Sequence, residues 1–298
     1  MPELPDIESY IAALLTRIAR RSLLAAEIGS PFLLRTAEPP LTSVDGRQVA
    51  AIERIGKRIA IGFDNDVWLV LHLMIAGRLH WHDEPPKLSR RTLALFEFEN
   101  GTLSLTEAGT KKRASLHVVA GRAGLAALDP GGLEIATATA AEFAARITRV
   151  NHTLKRALTD PRIQSGIGNA YSDEILHRAR LSPVRQTKTL GPGDLDTLFH
   201  CTRAVLDEWR QRLAPAHNEF PERVTAFREG MAVHGRYGQA CPACGTAVQR
   251  IRYASSETNY CPRCQTNGKL LADRSLSRLL KKDWPRTIDD LERQRPGG

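Results

Sequence analysis

Thiols are scarce in this chain, and aromatic side chains are few. The 298 residues include five cysteines and three methionines, with an aromatic share of 6%. Five cysteines at this length exclude the disulfide-dense scaffolds of small extracellular proteins. No apolar run reaches membrane-spanning length, and no basic-then-apolar stretch opens the chain. A cytoplasmic protein without a membrane partner is therefore expected. Internal repeats and low-complexity tracts are also lacking, which excludes a solenoid or a disordered linker protein. Acidic side chains are in deficit: 33 Asp and Glu stand against 42 Lys and Arg, a net charge of +9. The excess is uneven, because Arg223 to Gly298 holds 14 basic residues against 7 acidic ones. Basic charge concentrated at one end suits a polyanion, nucleic acid before membrane, although a solubilising surface accounts for charge alone equally well.

What is present is most specific where the few cysteines fall. Cys241-x2-Cys244, sixteen residues, then Cys261-x2-Cys264 is the spacing of a tetrathiolate zinc site closed by a β-hairpin. Pro242 and Pro262 stiffen the turns and Gly245 follows the first knuckle. Four ligands close the tetrahedron, so one structural zinc ion is expected; two disulfides are the alternative, and nothing else in the chain suggests an oxidising compartment. Between the knuckles lie Arg250, Arg252, Tyr253, Asn259 and Tyr260, a basic and aromatic tip suited to phosphates and bases. Cys201 is left over on a helical pattern, most simply as a small core residue.

In chain order, MPELPDIE precedes Ile7, Ile11, Leu14, Leu15 and Ile18, one face of an amphipathic helix with Pro5, Asp6 and Glu8 in its first turn. From Leu23 to about Val119 the pattern is that of strands. RIAIGF and VWLVLHL flank Asp64-Asn65-Asp66, while LALFEFE and TLSLTE flank Asn100-Gly101. Asp129-Pro130-Gly131-Gly132 ends this half, and helices follow. Thr139 and Glu142 form a capping box, Asn151 can cap HTLKRALTD, and helices span roughly 170–179 and 194–213. Gly166-Ile167-Gly168-Asn169 stands just before the helix at 170–179. Gly166 and Gly168 could expose amides as an anion site that Asn169 completes, or form a plain glycine turn. Leu270 to Leu291 reads as one more basic helix around Leu276, Leu279, Leu280 and Trp284. The expected fold is α+β and multidomain: a β-sandwich with a leading helix at 1–132, a helical domain at 133–230, a zinc ribbon at 231–268 and a basic helical extension at 269–298.

Taken together, PELPDIE, Gly56-Lys57-Arg58, HLMIAGR at 72–78, SGIGNAYSDEIL at 165–176 and HGRYGQACPACG resemble the formamidopyrimidine-DNA glycosylase and endonuclease VIII family of base-excision repair enzymes. The resemblance runs to about Gln265, with the motifs in the family's order and spacing. It implies a helix-two-turn-helix domain in the middle and a damaged double-stranded DNA partner, bound by a monomer. It also implies that Met1 is removed and that the Pro2 amine attacks C1′ of the damaged nucleotide. An α-amine has a pKa of about 7.7–8 against about 10.4 for lysine, so roughly a tenth of it is neutral at pH 7. A secondary amine condenses to an iminium, an electron sink for strand-cleaving elimination. By the same resemblance Glu3 is the acid/base at the sugar oxygen, Lys57 lies near the damaged strand, and Asn169 grips phosphate with the glycine amides. Without the other motifs, Pro2-Glu3 would read as an ordinary helix lead-in.

The chain departs from the family pattern in several places. Ser256 stands where an arginine usually clamps phosphates, with Arg250, Arg252 or Asn259 as candidate substitutes. Lys111-Lys112-Arg113-Ala114 carries Arg113 but lacks the aromatic wedge that usually follows. Ile75 occupies the place of an inserting methionine, next to Met74. AHNEFPERVTAFREGM before the ribbon is short, closer to the endonuclease VIII branch. The expectation is a bifunctional DNA glycosylase and abasic-site lyase with altered lesion reading. The alternatives are a damage-binding protein with weak catalysis, motivated by Ser256 and Ala114, and a zinc-ribbon RNA-associated protein, which leaves Pro2-Glu3 unexplained.

Overall fold

The computed structural model describes residues 1–298 except 216–218, 223, 226, 254–255, 274–284 and 295–298. The described chain forms two compact units. One comprises Met1–Gly132 with Asp207–Ala226, and the other Leu133–Leu206 with Phe227–Gly298.

The first unit begins with helix α1, Leu4–Ile18, started by a capping box in which the Glu3 N–H donates to Asp6 Oδ2 at 2.8 Å. Ile7, Tyr10, Leu14 and Ile18 fall three or four residues apart and are all buried. Eight strands follow: β1 Leu23–Ile28, β2 Val49–Ile55, β3 Arg58–Phe63, β4 Val67–His72, β5 Gly77–His82, β6 Thr92–Phe98, β7 Gly101–Glu107 and β8 Ser115–Ala120. They pair antiparallel as two sheets, ordered β1-β6-β7-β5 and β2-β3-β4-β8. Leu79, Phe96, Leu103 and Leu105 of one sheet share a core with Ile59, Ile61, Leu69, Leu71 and Leu116 of the other and with the buried stripe of α1. The sandwich with its leading helix is thus present. VWLVLH is almost wholly apolar because β4 is covered on both faces: Trp68 and Val70 point away from that core, onto Leu125 of helix α2, Gly121–Ala127. Gly62 on β3 makes this possible, since a Cβ there would lie 2.7 Å from the Trp68 ring. The β6–β7 hairpin turns on Glu99 and Asn100 rather than on Asn100-Gly101, with Phe98 opposite Gly101. Gly101 is needed for space, because its Cβ would meet the Trp81 ring at 2.6 Å.

The second unit is helical before it becomes a ribbon. Helix α3, Ala140–Thr148, starts at the Thr139–Glu142 capping box and buries Phe143 and Ile147. Helix α4, Leu154–Thr159, is capped by Thr153, whose hydroxyl accepts from Arg156 N; Asn151 instead accepts from Lys188 N at 3.2 Å. Helices α5, Asn169–Arg178, and α6, Pro192–Leu213, follow. The ribbon is the hairpin β9 Gln249–Arg252 and β10 Glu257–Tyr260, then the short helix α7, Pro262–Thr266. The single helix expected over Leu270–Leu291 is not formed: the Leu270 N–H donates to the Arg286 carbonyl at 2.9 Å and Lys269 bridges Thr287, so the two ends lie side by side, and a separate helix α8 spans Ile288–Gln294. Leu276, Leu279, Leu280 and Trp284 lie outside the described residues. Among the described residues no helix is long and apolar enough to cross a membrane.

Leu103 is fully buried between the sheets, so Leu103→Ala should cost about 2–5 kcal/mol of unfolding free energy by lost transfer and a cavity. Chemical denaturation measures it, and a loss below about 1 kcal/mol would mean that the core refills the space.

Candidate active site and metal centre

In the first unit the chemistry-bearing residues gather at the chain terminus. Pro2 is buried, and Glu3 is only 2% exposed although it is a carboxylate. The start of α1 offers it unpaired amides and the positive end of the helix, the environment in which a buried carboxylate is tolerated. Burial holds the terminal amine of Met1 below its ordinary value of 8.0; Glu3 opposes the shift, Arg78 adds to it, and Asp6 and Lys57 act more weakly in opposite senses. Glu3, Asp6, Lys57 and Arg78 therefore all lie within electrostatic range of the terminus. Lys57 is half-buried in the tight β2–β3 turn, where Gly56 takes φ +57°. Arg78 donates to the carbonyls of Ile75 and Gly77 at 3.2 and 2.6 Å and so braces the β4–β5 turn. Met74 adopts φ +52° at that turn, which leaves Ile75 as the displayed side chain, 53% exposed.

The β7–β8 loop is organised by Glu107, whose Oε2 accepts from the backbone N–H groups of Arg113 and Ala114 at 2.9 and 3.2 Å. Lys112 Nζ donates to the Glu107 carbonyl, while the side chains of Lys111 and Arg113 are exposed. Ala114 overturns an expectation. It is 2% exposed and belongs to the sandwich core, so residue 114 faces inward and does not occupy a wedge position.

One cluster of basic side chains escaped the sequence reading. Arg58 and His72 are cross-strand neighbours on β3 and β4, and His117 lies opposite Val70 on β8. Arg58 donates to the Leu128 carbonyl at 2.9 Å, yet its Nε and His117 Nδ1 are buried without hydrogen-bond partners among the described residues. Burial, with Arg58, Lys57 and His117 adding to it, pushes His72 down to about 4, so it is a neutral imidazole at pH 7. Its signal was a histidine closing an otherwise apolar strand.

In the second unit Gly166 takes φ +76°, whereas Gly168 is extended and caps α5. Asn169 is the first residue of α5. Its side-chain amide donates to the Glu257 carbonyl at 2.8 Å, and its own carbonyl accepts from Lys155 Nζ at 2.7 Å. Lys155 also pairs with Asp173 Oδ1 at 2.5 Å; Asp173 Oδ2 faces His234 Nδ1 at 2.8 Å and accepts from Asn259 N at 3.1 Å. Glu174 accepts from three successive amides, those of Ala232, Val233 and His234.

The ribbon tip divides differently from expectation. Asn259 is 1% exposed: its Oδ1 accepts from Gly235 N at 2.5 Å and its Nδ2 donates to Glu257 Oε1 at 3.0 Å. It is a buried joint, not a phosphate-facing residue. Tyr260 is also buried, and its hydroxyl accepts from Leu271 N at 2.8 Å. Arg250 stacks 4.2 Å over Tyr237 and donates to Glu257 at 3.3 Å. Arg252, Tyr253 and Ser256 are exposed.

The sulfur atoms of Cys241, Cys244, Cys261 and Cys264 lie within 4.8 Å of one another, as four ligands of one ion must. Gly245 takes φ +75° behind the first knuckle. Burial and the neighbouring cysteines push Cys261 far up, so a divalent cation is what allows four thiolates to coexist here. The site holds one structural zinc ion. Cys201 stands apart, half-buried on α6.

Because Ala114 is packed, Ala114→Phe should overpack the core and cost about 1–3 kcal/mol without altering DNA contacts. Unchanged stability together with a new opposite-base preference would return residue 114 to the wedge.

Residues 1–113 match the formamidopyrimidine-DNA glycosylase N-terminal domain, 128–211 its H2TH domain, and 238–267 the zinc finger found in FPG and IleRS. A formamidopyrimidine-DNA glycosylase of Heliobacterium modesticaldum is 29% identical over 279 residues, covering 89% of this chain and all of that protein. A formamidopyrimidine-DNA glycosylase-like protein of Mycobacterium tuberculosis, itself uncharacterised, is 39% identical over 155 residues, 52% of this chain and 95% of its own. The solved structure of the MutM (Fpg) protein of Thermus thermophilus superposes with a TM-score of 0.76 at 28% identity, covering 89% of this chain and 98% of that one. Domain order, four-cysteine zinc centre and relatives agree, and the chain belongs to the formamidopyrimidine-DNA glycosylase family, base-excision DNA glycosylases with abasic-site lyase activity.

Proposed function

We propose that Pro2, exposed as the N-terminus by removal of Met1, is the nucleophile of this glycosylase and lyase. The supporting observation is the buried Pro2 beside the buried Glu3; at the amine of Met1, one residue earlier, burial disfavours the ammonium, with Arg78 and Lys57 adding to it against Glu3 and Asp6. A neutral amine there attacks C1′, and the damaged base leaves with its bonding electrons and takes up the proton that the amine nitrogen loses. Glu3 donates a proton to the sugar ring oxygen, the ring opens, and the amine nitrogen becomes an iminium with C1′. Loss of a C2′ proton then feeds electrons into the iminium and expels the 3′ phosphate.

Lys57, Arg252 and the Gly166-Gly168-Asn169 turn are assigned to phosphates, which position DNA without reporting the lesion. Arg58 extends the cationic row beside Lys57, with the neutral His72 imidazole packed next to it. Ile75 and Arg113, both exposed on their turns, are assigned to the gap left by the extruded nucleotide. The four-part division at residues 132, 230 and 268 then follows chemistry: amine and acid, phosphate turn, zinc-held tip, and basic extension. A single chain supplies every one of these groups, which supports action as a monomer on DNA in the cytoplasm, at the nucleoid.

Borohydride should trap a covalent adduct between the wild-type protein and abasic DNA, and one extra residue before Pro2 should abolish it. Glu3→Gln should bind DNA but lose base excision. An adduct that persists in the blocked protein would assign the nucleophile elsewhere.

Lys57→Ala and Arg252→Ala should each weaken binding to all lesion duplexes by a similar factor. Each should flatten the slope of log affinity against log salt by about 0.9. A change confined to one lesion would show that the side chain reads the base instead.

A further inference from the structure

Three residues of α5 that meet the ribbon are spaced four apart. Asn169, Asp173 and His177 form one stripe along the helix. Asn169 donates to the Glu257 carbonyl, Asp173 accepts from Asn259 N, and His177 Nε2 lies 3.2 Å from Cys241 Sγ. The first two contacts hold the hairpin. The third reaches a zinc ligand from outside the ribbon.

We propose that His177 is a positioning residue of the zinc centre: its Nε2–H donates to the zinc-bound thiolate of Cys241 and locks the ribbon to the helix that carries the phosphate turn. A thiolate on zinc has no proton to give, so the imidazole must be the donor. His177 is not a fifth ligand, since the mutually close ligand atoms are the four sulfurs. Other sulfurs are served from within the ribbon: Cys264 N donates to Cys261 Sγ at 3.5 Å, and the amide and hydroxyl of Thr246 hydrogen-bond Cys244. Cys241, 2% exposed, and His177, 9% exposed, meet where water has little access. Four thiolates on one divalent ion leave a charge of about −2, so a donor at a buried sulfur lowers the electron density that the ion must accept. A second link runs in parallel: Gln265 Nε2 donates to the Leu181 carbonyl at 3.0 Å and its Oε1 accepts from Cys261 N at 2.8 Å. The ribbon is thus held on both knuckles by the end of α5 and the residues just after it.

The test uses the full chain and metals alone. His177→Leu should lose zinc to a chelator about 10–100-fold more readily than wild type, the usual cost of removing such a partner, whereas His177→Gln, which keeps an N–H, should retain most of the affinity. In the cobalt-substituted proteins the sulfur-to-metal charge-transfer band should move to lower energy in the Leu variant and stay near wild type in the Gln variant. Wild-type zinc retention and an unshifted cobalt band in His177→Leu would overturn the proposal. Should His177→Leu fail to fold, the wild-type protein loaded with cadmium-113 decides. A scalar coupling from the metal to the His177 Nε2–H proton supports the bond, and a resolved Nε2–H resonance without that coupling, or an Nε2 with no proton, refutes it.

Discussion

A carboxylate with almost no access to water must find its partners inside the protein, and Asp173 is such a group at 1% exposure. Lys155 answers one oxygen, and His234 and the Asn259 amide the other. These come from α4, from the stretch before the first zinc knuckle, and from β10, so a single buried acid sets where three separate segments stand. Stranding such a charge by removing a partner typically costs about 3–5 kcal/mol, far more than a surface pair is worth. Glu174, next in sequence, takes three consecutive amides and so fixes the backbone of 232–234. The two acids explain why SDEIL and HGR belong together in this chain. They are the two halves of one joint, and Asn169 sits one helical turn from it.

The sandwich solves a different problem, that of presenting a chain end. A terminus ordinarily frays. Here the capping box of α1 and the apolar stripe from Ile7 to Ile18 pin the residues immediately behind it, so that Pro2 and Glu3 inherit the rigidity of the core. Arg78 contributes twice, as a cation that disfavours ammonium at the terminus and as the brace of the turn that displays Ile75.

Much of this was legible in the residues. Strands β3, β4, β6 and β7 followed from apolar runs and turn chemistry, whereas β5 was not read as a strand, and the capping box at Thr139 was readable because both its members lie within one turn. The cysteine spacing identified the metal centre. What failed did so for identifiable reasons. Asn151 lost to Thr153 because two capping residues two positions apart compete, and the tertiary bond from Lys188 N to Asn151 decided between them. Ala114 was read as a loop residue because nothing local shows that Glu107 turns the chain inward through two amides. The Arg58–His72–His117 cluster is long-range in sequence and exists only once β3, β4 and β8 are laid side by side.

Asn259 is the most consequential misreading. A polar residue between an exposed tip and a zinc knuckle looks available for phosphate, but both ends of its amide are committed and its backbone N–H belongs to Asp173. It cannot stand in for the arginine that Ser256 replaces without breaking the joint. Arg250 is restrained as well, flat over Tyr237 and paired to Glu257, so using it as a clamp would first cost a stacked and ion-paired arrangement. Arg252 carries neither restraint. Its backbone N–H is held by Asp273, which fixes the strand while the guanidinium stays exposed. Of the three residues the sequence offered as substitutes for the missing clamp, Arg252 alone combines a fixed backbone with a bidentate donor that is uncommitted among the described residues, the combination that phosphate recognition requires.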